Sequence, residues 1–382
     1  MNWFDFYKGK KVLLTGHTGF KGTWMTDVLL RAGAKVTGYA LEPKIRPNLF
    51  GLCEFSGNLD SNIGDIRDIE KLRNVFQKAK PEIVIHMAAQ PIVRESYRAP
   101  VYTYVVNVMG TVNVMECVRL GDSVRSVVNV TTDKVYKNRE WCWGYRENEE
   151  LNGFDPYSNS KSCSELVTSC YWDSFLKEAG VAVSTARAGN VIGGGDFAAD
   201  RIIPDCVRAV EAGREILVRN PRSIRPYQHV LEPVAAYLWL AAAQYENGDL
   251  AGSYNVGPEE SDCLTTGELV ELFCEKWKER TGYQPVWMDG KGDGLRTDAE
   301  KENRRQECGR RSQTDTEKKE PHEAGYLKLD CSKLKEKLGW HPVWNMERTM
   351  EMLTEWYVRY LNHGDIQACM DRQIASFLQE SL

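Results

Sequence analysis

Lys11-Val-Leu-Leu-Thr-Gly-His-Thr-Gly-Phe-Lys-Gly22 decides the fold of this chain. An apolar run ends in glycines three residues apart; an amphipathic stretch then reaches Leu30, and a second run, Lys35-Val-Thr-Gly-Tyr39, follows. The pattern reads as strand, tight turn, helix, strand: a βαβ unit. Gly16, Gly19 and Gly22 permit a sharp turn and let backbone amides approach a pyrophosphate at the helix N-terminus. Further apolar strands lie at Glu82 to His86, Arg125 to Thr131 and Val181 to Arg187, separated by helical stretches near Ile69 to Ala79, Tyr102 to Leu120 and Tyr157 to Ala179. This alternation predicts an α/β fold with a Rossmann-like, doubly wound parallel sheet and a ligand crevice at the strands' carboxyl ends. After about Asn190 come shorter elements, among them Arg201 to Ala212, Leu231 to Tyr245, Leu264 to Arg280 and Met346 to Tyr360. They predict a smaller mixed α/β lobe over the substrate. The expected division is a dinucleotide-binding domain over 1–189 and a mainly substrate-binding lobe over 190–382, with some elements returning to the first.

With 382 residues and 42% hydrophobic content the chain can bury a sizeable core. A net charge of -5 supplies no basic field for nucleic acid. Eleven cysteines without a C-x-x-C pair suggest neither a disulfide framework nor a zinc site, and the six histidines show no close pairing, so no metal is expected. Asp5 interrupts the short apolar N-terminal run, and charges or glycines interrupt every later one, so a cytoplasmic protein is expected, with no membrane partner. Between Lys291 and Glu320, seventeen of thirty residues are charged and none is aromatic. This segment reads as a flexible insertion, with a charged solvent-exposed helix and a mobile lid as the competing readings.

At the end of the second strand the acidic residue expected for an adenosine ribose is missing, and Glu42 arrives only afterwards. No Arg or Lys stands between Lys35 and Lys44, which favours NAD over NADP. Asp65, after the third strand, is either an acceptor for the adenine amino group or a helix N-cap. Tyr157-Ser-Asn-Ser-Lys161 opens a helix, placing phenol and ammonium on one face. The strand before it ends in Thr131-Thr132-Asp133-Lys134, at the same carboxyl edge as the glycine loop.

Together with His86-Met-Ala-Ala-Gln-Pro91, Asn107-Val-Met-Gly-Thr111, Trp143-Gly-Tyr-Arg-Glu147, the run from Arg187 to Asp196, Arg225-Pro-Tyr-Gln-His229 and Gly339-Trp-His-Pro342, these motifs resemble the extended short-chain dehydrogenase/reductases. The likeness is to their NAD-dependent nucleotide-sugar 4,6-dehydratases. It implies NAD held by Gly16, His17, Thr18, Gly19, Phe20, Lys21, Gly22, Asp65, Ile66, Ala88, Tyr157 and Lys161. It implies CDP-glucose as substrate, met by Gln90, Arg94, Asn190, Arg201, Arg225, His229 and Tyr326, and a homo-oligomer, dimer or tetramer. The implied chemistry oxidises C4, eliminates water across C5 and C6, and returns hydride to C6. Tyr157 would be the base at the C4 hydroxyl, its phenol pKa lowered by Lys161 and the nicotinium. Thr132 would bond the C4 oxygen, and Asp133 would be the acid toward the C6 hydroxyl. Lys134 stands where many such enzymes carry a glutamate base, and is either that base or a diphosphate or structural contact. An epimerase shares Tyr157 and Lys161 without needing Asp133. A non-catalytic dinucleotide sensor commonly lacks both.

Overall fold

The computed structural model describes residues 2–55, 57–290 and 325–381. The charged segment expected to be flexible, 291–320, lies outside them. Seven parallel strands form one sheet: β1 (Lys11–Thr15), β2 (Lys35–Ala40), β3 (Leu59–Ile63), β4 (Ile83–His86), β5 (Ser126–Val130), β6 (Ala182–Ala188) and β7 (Gly252–Val256). Their order is β7-β6-β5-β4-β1-β2-β3. The order reverses beside β1, which pairs with β2 on one side and β4 on the other, so a crevice opens where the chain leaves these edges.

The central strands are buried along almost their whole length, with apolar runs Val12-Leu-Leu14 and Ile83-Val-Ile85, because both faces are covered. On one face α1 (Phe20–Arg31), α6 (Leu231–Glu246), α8 (Met346–Leu361) and α9 (Ile366–Ser381) bury Trp24, Leu29, Leu238, Trp356 and Phe377. On the other, α2 (Ile69–Ala79), α3 (Gly110–Leu120) and α4 (Pro156–Tyr171) bury Leu72, Phe76, Met115 and Val118. Each such side chain contributes about 1.5–3 kcal/mol relative to exposure. Buried polar groups on these faces are matched. Gln244 of α6 donates to Ser126 Oγ at 2.8 Å and to the Val127 carbonyl at 2.9 Å, clamping the helix to the sheet.

Two expected helices are interrupted. Residues Val105–Met109 form a π-turn before α3, and Trp172–Leu176 another after α4. The first has a use: Asn107 accepts from the Gln90 amide at 2.8 Å and donates to Ser160 Oγ at 2.9 Å, tying the exit of β4 to α4. Beyond β6 the chain forms α5 (Ile202–Glu211) and α7 (Thr266–Thr281), with small parallel pairs joining Val191–Ile192 to Gln228–His229 and Ile216–Val218 to Trp287–Asp289. These elements flank the crevice, whereas β7 returns to the main sheet beside β6. No helix among the described residues is long and apolar enough to cross a membrane.

Candidate functional site

A cavity of about 810 Å³ runs along the carboxyl ends of the sheet, and its first wall is made of backbone. Gly16 sits at φ +80, and a Cβ there would lie 2.9 Å from the Ala88 nitrogen. A Cβ on Gly22 would lie 2.0 Å from the Gly16 carbonyl oxygen. Only glycine closes this turn. Gly19 is the N-cap of α1 and no side chain caps that helix, so the first-turn amides are available to an anion at the positive end of the dipole. Glu42, Asp65 and Ile66 line the same cavity further out. An anion-binding turn continued by a partly apolar slot with two carboxylates fits a dinucleotide, with the glycine loop on its diphosphate.

Asp65 does not cap a helix. It accepts from the Arg67 amide at 2.9 Å and from its guanidinium at 2.6 Å, bonds that hold its carboxyl below the usual carboxylate range, while Asp68 caps α2. His17 departs from expectation as a side chain. It is fully buried, its ring lies where a Cβ on Gly38 would fall (2.4 Å), and its Nε2 is 2.7 Å from Ser61 Oγ. The ring braces β2 and only the backbone of His17 can serve a cofactor.

The second wall is the reaction corner. Asp155 caps α4 by accepting from the Ser158 amide at 3.0 Å, and Pro156 opens the helix, which presents Tyr157 to the cavity. One turn on, Lys161 is buried and donates to the Val130 carbonyl at 3.0 Å. Burial pushes Tyr157 up to about 12, against a lowering hydrogen bond with Thr132. The lowering expected from Lys161 is therefore outweighed in the protein alone by burial of the phenol. Burial also pushes Lys161 down to about 8, with Glu165 acting the other way. Thr132 donates to Asp133 Oδ1 at 2.9 Å, and Lys134 bonds the same oxygen at 2.9 Å and Asn190 Oδ1 at 3.1 Å. Thr132 and Lys134 line the cavity, but Asp133 does not. Its side chain is fully buried and its Oδ2 has no hydrogen-bond partner among the described residues. An acid in direct contact with substrate is thus not how the structure presents Asp133, because Lys134 occupies the approach.

The far wall is made of long charged side chains. Arg201 pairs with Asp196 at 2.8 Å; Arg94 and Arg219 share Asp200 Oδ1 at 3.5 and 3.0 Å. Arg225 lines the same wall, and Lys21 faces it from the glycine loop. Burial, then the charges of Lys161 and Arg201, pushes Lys21 down to about 7. Guanidinium and ammonium groups gathered on one wall suit a diphosphate.

Three expected substrate contacts do not reach the cavity. His229 is fully buried between Trp24 and Trp344, its Nδ1 accepting from the Leu231 amide at 3.3 Å. Gln90 is spent on Thr103 and the Ile92 amide, at 2.9 and 2.6 Å. Tyr326 donates to the Cys142 carbonyl at 3.4 Å, and its neighbour Leu327 lines the cavity instead. Arg219 and Asp200 were not anticipated; their sequence signal is only that each is a charged residue flanking a short element.

The profile of the family described as GDP-mannose 4,6 dehydratase matches residues 13–353. CDP-glucose 4,6-dehydratase of Salmonella typhimurium is 44% identical over 98% of each chain. dTDP-glucose 4,6-dehydratase of Xanthomonas campestris is 26% identical over 94% of this chain and 95% of that one. Among solved structures, dTDP-glucose 4,6-dehydratase of Bacillus anthracis in complex with NAD superposes with a TM-score of 0.72 at 18% identity, covering 93% of this chain and 99% of that one. UDP-glucose 4-epimerase of Thermotoga maritima with UDP-glucose gives 0.71 at 22%, covering 92% and 99%. These two likenesses speak to the fold.

Proposed function

This chain belongs to the GDP-mannose 4,6-dehydratase family, and from that premise we propose that it converts CDP-D-glucose to CDP-4-dehydro-6-deoxy-D-glucose and water, using NAD. The observation that carries the reading is the meeting of Thr132, Lys134 and Tyr157 on one cavity that begins at the glycine loop, with Asp133 2.9 Å behind Lys134. The choice of CDP rests on the 44% identity to the Salmonella typhimurium enzyme over nearly the whole chain.

NAD, which the glycine loop and the first-turn amides of α1 would hold, would supply a hydride acceptor for the oxidation at C4 and a hydride donor for C6. Tyr157 takes the C4 hydroxyl proton while Thr132 orients that oxygen. Burial that holds the phenol up to about 12 also makes the phenolate a strong base once formed, and the ammonium of Lys161 one turn away is the charge that stabilises it. With a ketone at C4, the C5 proton becomes acidic. Lys134 and Asp133 act on it as a pair. When their shared proton lies on the carboxyl, the Lys134 amine is free to take the C5 proton and, as the ammonium so formed, is able to give one, with Asp133 behind it as the proton store. One shift across the 2.9 Å bond prepares the amine, and the donated proton leaves with the C6 hydroxyl as water. Lys134, facing the cavity, stands nearer the substrate; Asp133 acts from behind it. The guanidinium groups of Arg94, Arg201 and Arg225, with Asn190, hold the diphosphate end.

In the same reading residues 1–189 carry the cofactor, 190–382 mainly the substrate, and the protein works in the cytoplasm as a homo-oligomer. Val101, Met109, Leu166 and Phe175, 47% to 76% exposed along the layer of α3 and α4, supply an apolar face for a second copy. The test is incubation of the purified protein and NAD with CDP-, dTDP-, UDP- and GDP-glucose. CDP-glucose should give a product lighter by one water. A product of unchanged mass would make the chain an epimerase, and no turnover with any of the four would remove the reading.

A further inference from the structure

Behind the reaction corner, on the helix that bears Tyr157 and Lys161, lies a carboxylate that the mechanism above does not use. Glu165 is 3% exposed and its side chain is one turn beyond Lys161. Four groups hold it. Thr131 donates to Oε1 in a short hydrogen bond, Thr185 donates to Oε2 at 2.6 Å, and the Arg187 guanidinium donates to Oε2 at 2.8 Å. The fourth contact is electrostatic, with Lys161. A buried carboxylate is costly unless paired and bonded, and this one is both. The arrangement reaches further than an ordinary buried pair. Arg187 also donates at 2.9 Å to the hydroxyl of Tyr136, which lines the cavity. Tyr136 in turn donates to Asn255 of β7 at 2.6 Å.

We infer that Glu165 is a positioning residue for the reaction: its carboxylate locks Thr131, and with it the Thr132-Asp133-Lys134 corner, to the helix of Tyr157, and sets an anion one helical turn from Lys161. The inference rests on the dehydratase reading of the site. Its geometric half follows from the contacts. Thr131 is the residue before Thr132, and its amide is fixed by the Ala186 carbonyl at 2.9 Å, so the hydroxyl bond to Glu165 pins the last free direction of the strand end. Its electrostatic half follows from what surrounds Lys161. Tyr157 shares its helix; His86 of β4 and Lys21 of α1 face it from the other elements. His86 is pushed down to about 3 by burial and stays neutral, and Lys21 is a further amine. Glu165 is the anion that offsets the burial of Lys161. Removing that charge lets Lys161 lose its proton at lower pH, and with it the support for a tyrosinate.

The experiment compares Glu165→Gln, Glu165→Asp and Thr131→Val with the parent protein. Readouts are melting temperature, steady-state kinetics against pH, and an NMR titration of the Lys161 side chain in cofactor-free protein. Glu165→Gln should lower kcat about tenfold with KM within about twofold, and move both the alkaline fall of kcat and the Lys161 titration to lower pH by about one unit. Glu165→Asp keeps the charge and should leave the titration in place while kcat falls. Thr131→Val should do the same without disturbing Arg187, so it decides the positioning half even where Glu165→Gln fails to fold; Glu165→Asp then decides the charge half. A lower melting temperature with unchanged kcat and unchanged Lys161 titration in the variants that fold would make Glu165 a purely structural residue and overturn the inference. If the parent protein dehydrates no nucleotide sugar, the functional reading falls instead, and the Lys161 titration still tests the charge.

Discussion

The two ends of the cavity are built from different materials. At the cofactor end the contacts are backbone, a turn of three glycines feeding the amides of α1. At the other end they are the tips of long side chains, Arg94, Arg201, Arg219 and Arg225, the first three held by Asp196 and Asp200. Backbone geometry admits almost no compromise, since a single Cβ collides. A set of flexible cations redistributes when one member is lost. The first end should therefore fail abruptly under substitution and the second by degrees.

The sharpest break is Gly22→Ala, whose Cβ would fall 2.0 Å from the Gly16 oxygen. NAD affinity should drop at least about 100-fold, a loss of roughly 3 kcal/mol, with a lower melting temperature. Near-parental affinity by fluorescence titration would show that the turn can widen and the contrast is false. Tyr157→Phe separates binding from chemistry between the two ends. It should cost about 10³-fold in kcat and leave NAD affinity within about twofold. A matching loss of affinity would mean that the hydroxyl belongs to the cofactor wall.

Lys21 joins the two ends and gives a pH signature. Its amine is pushed down to about 7, so it is charged below that value and neutral above it. Affinity for CDP should weaken as pH rises from 6 to 8, and Lys21→Met should flatten the dependence; isothermal titration at several pH values measures both. The smallest effect belongs to Asp200→Asn, which removes an acceptor shared by two guanidinium groups on a partly exposed wall. KM for substrate should change by no more than about threefold, in keeping with the modest worth of exposed pairs. A tenfold change would make the substrate end as brittle as the cofactor end.

The same contrast explains how much of the site was legible in the sequence. Glycine spacing, strand-helix alternation and the opening of α4 by Asp155-Pro156 are local, and each fell where the sequence placed it. Side-chain direction is not local. His229 and His17 have the residue type of ligand contacts, yet Trp24 and Trp344 enclose one, and the bare Cα of Gly38 receives the other. Gln90 was lost to contacts that no periodicity shows, its side chain turned to Thr103 and the Ile92 amide. Asp133 and Lys134 are adjacent in the chain, but which of them faces the cavity depends on Asn190, 56 residues away. Glu165 reads in sequence as one more polar position on a helix. Only the strand ends carrying Thr131, Thr185 and Arg187 give it a purpose.

The return of β7 to the sheet bears on how the chain is made. Until Gly252–Val256 emerges from the ribosome, β6 has no neighbour on its outer side, although every strand of the cofactor half has already been synthesised. A nascent chain of that length carries an open row of amide and carbonyl groups along β6, a template for pairing with another copy. Expression of residues 1–189 alone should therefore yield aggregates, and a fragment carried past residue 256 should be markedly more soluble. The sheet that carries the glycine turn is completed only by a strand that comes more than sixty residues after residue 188.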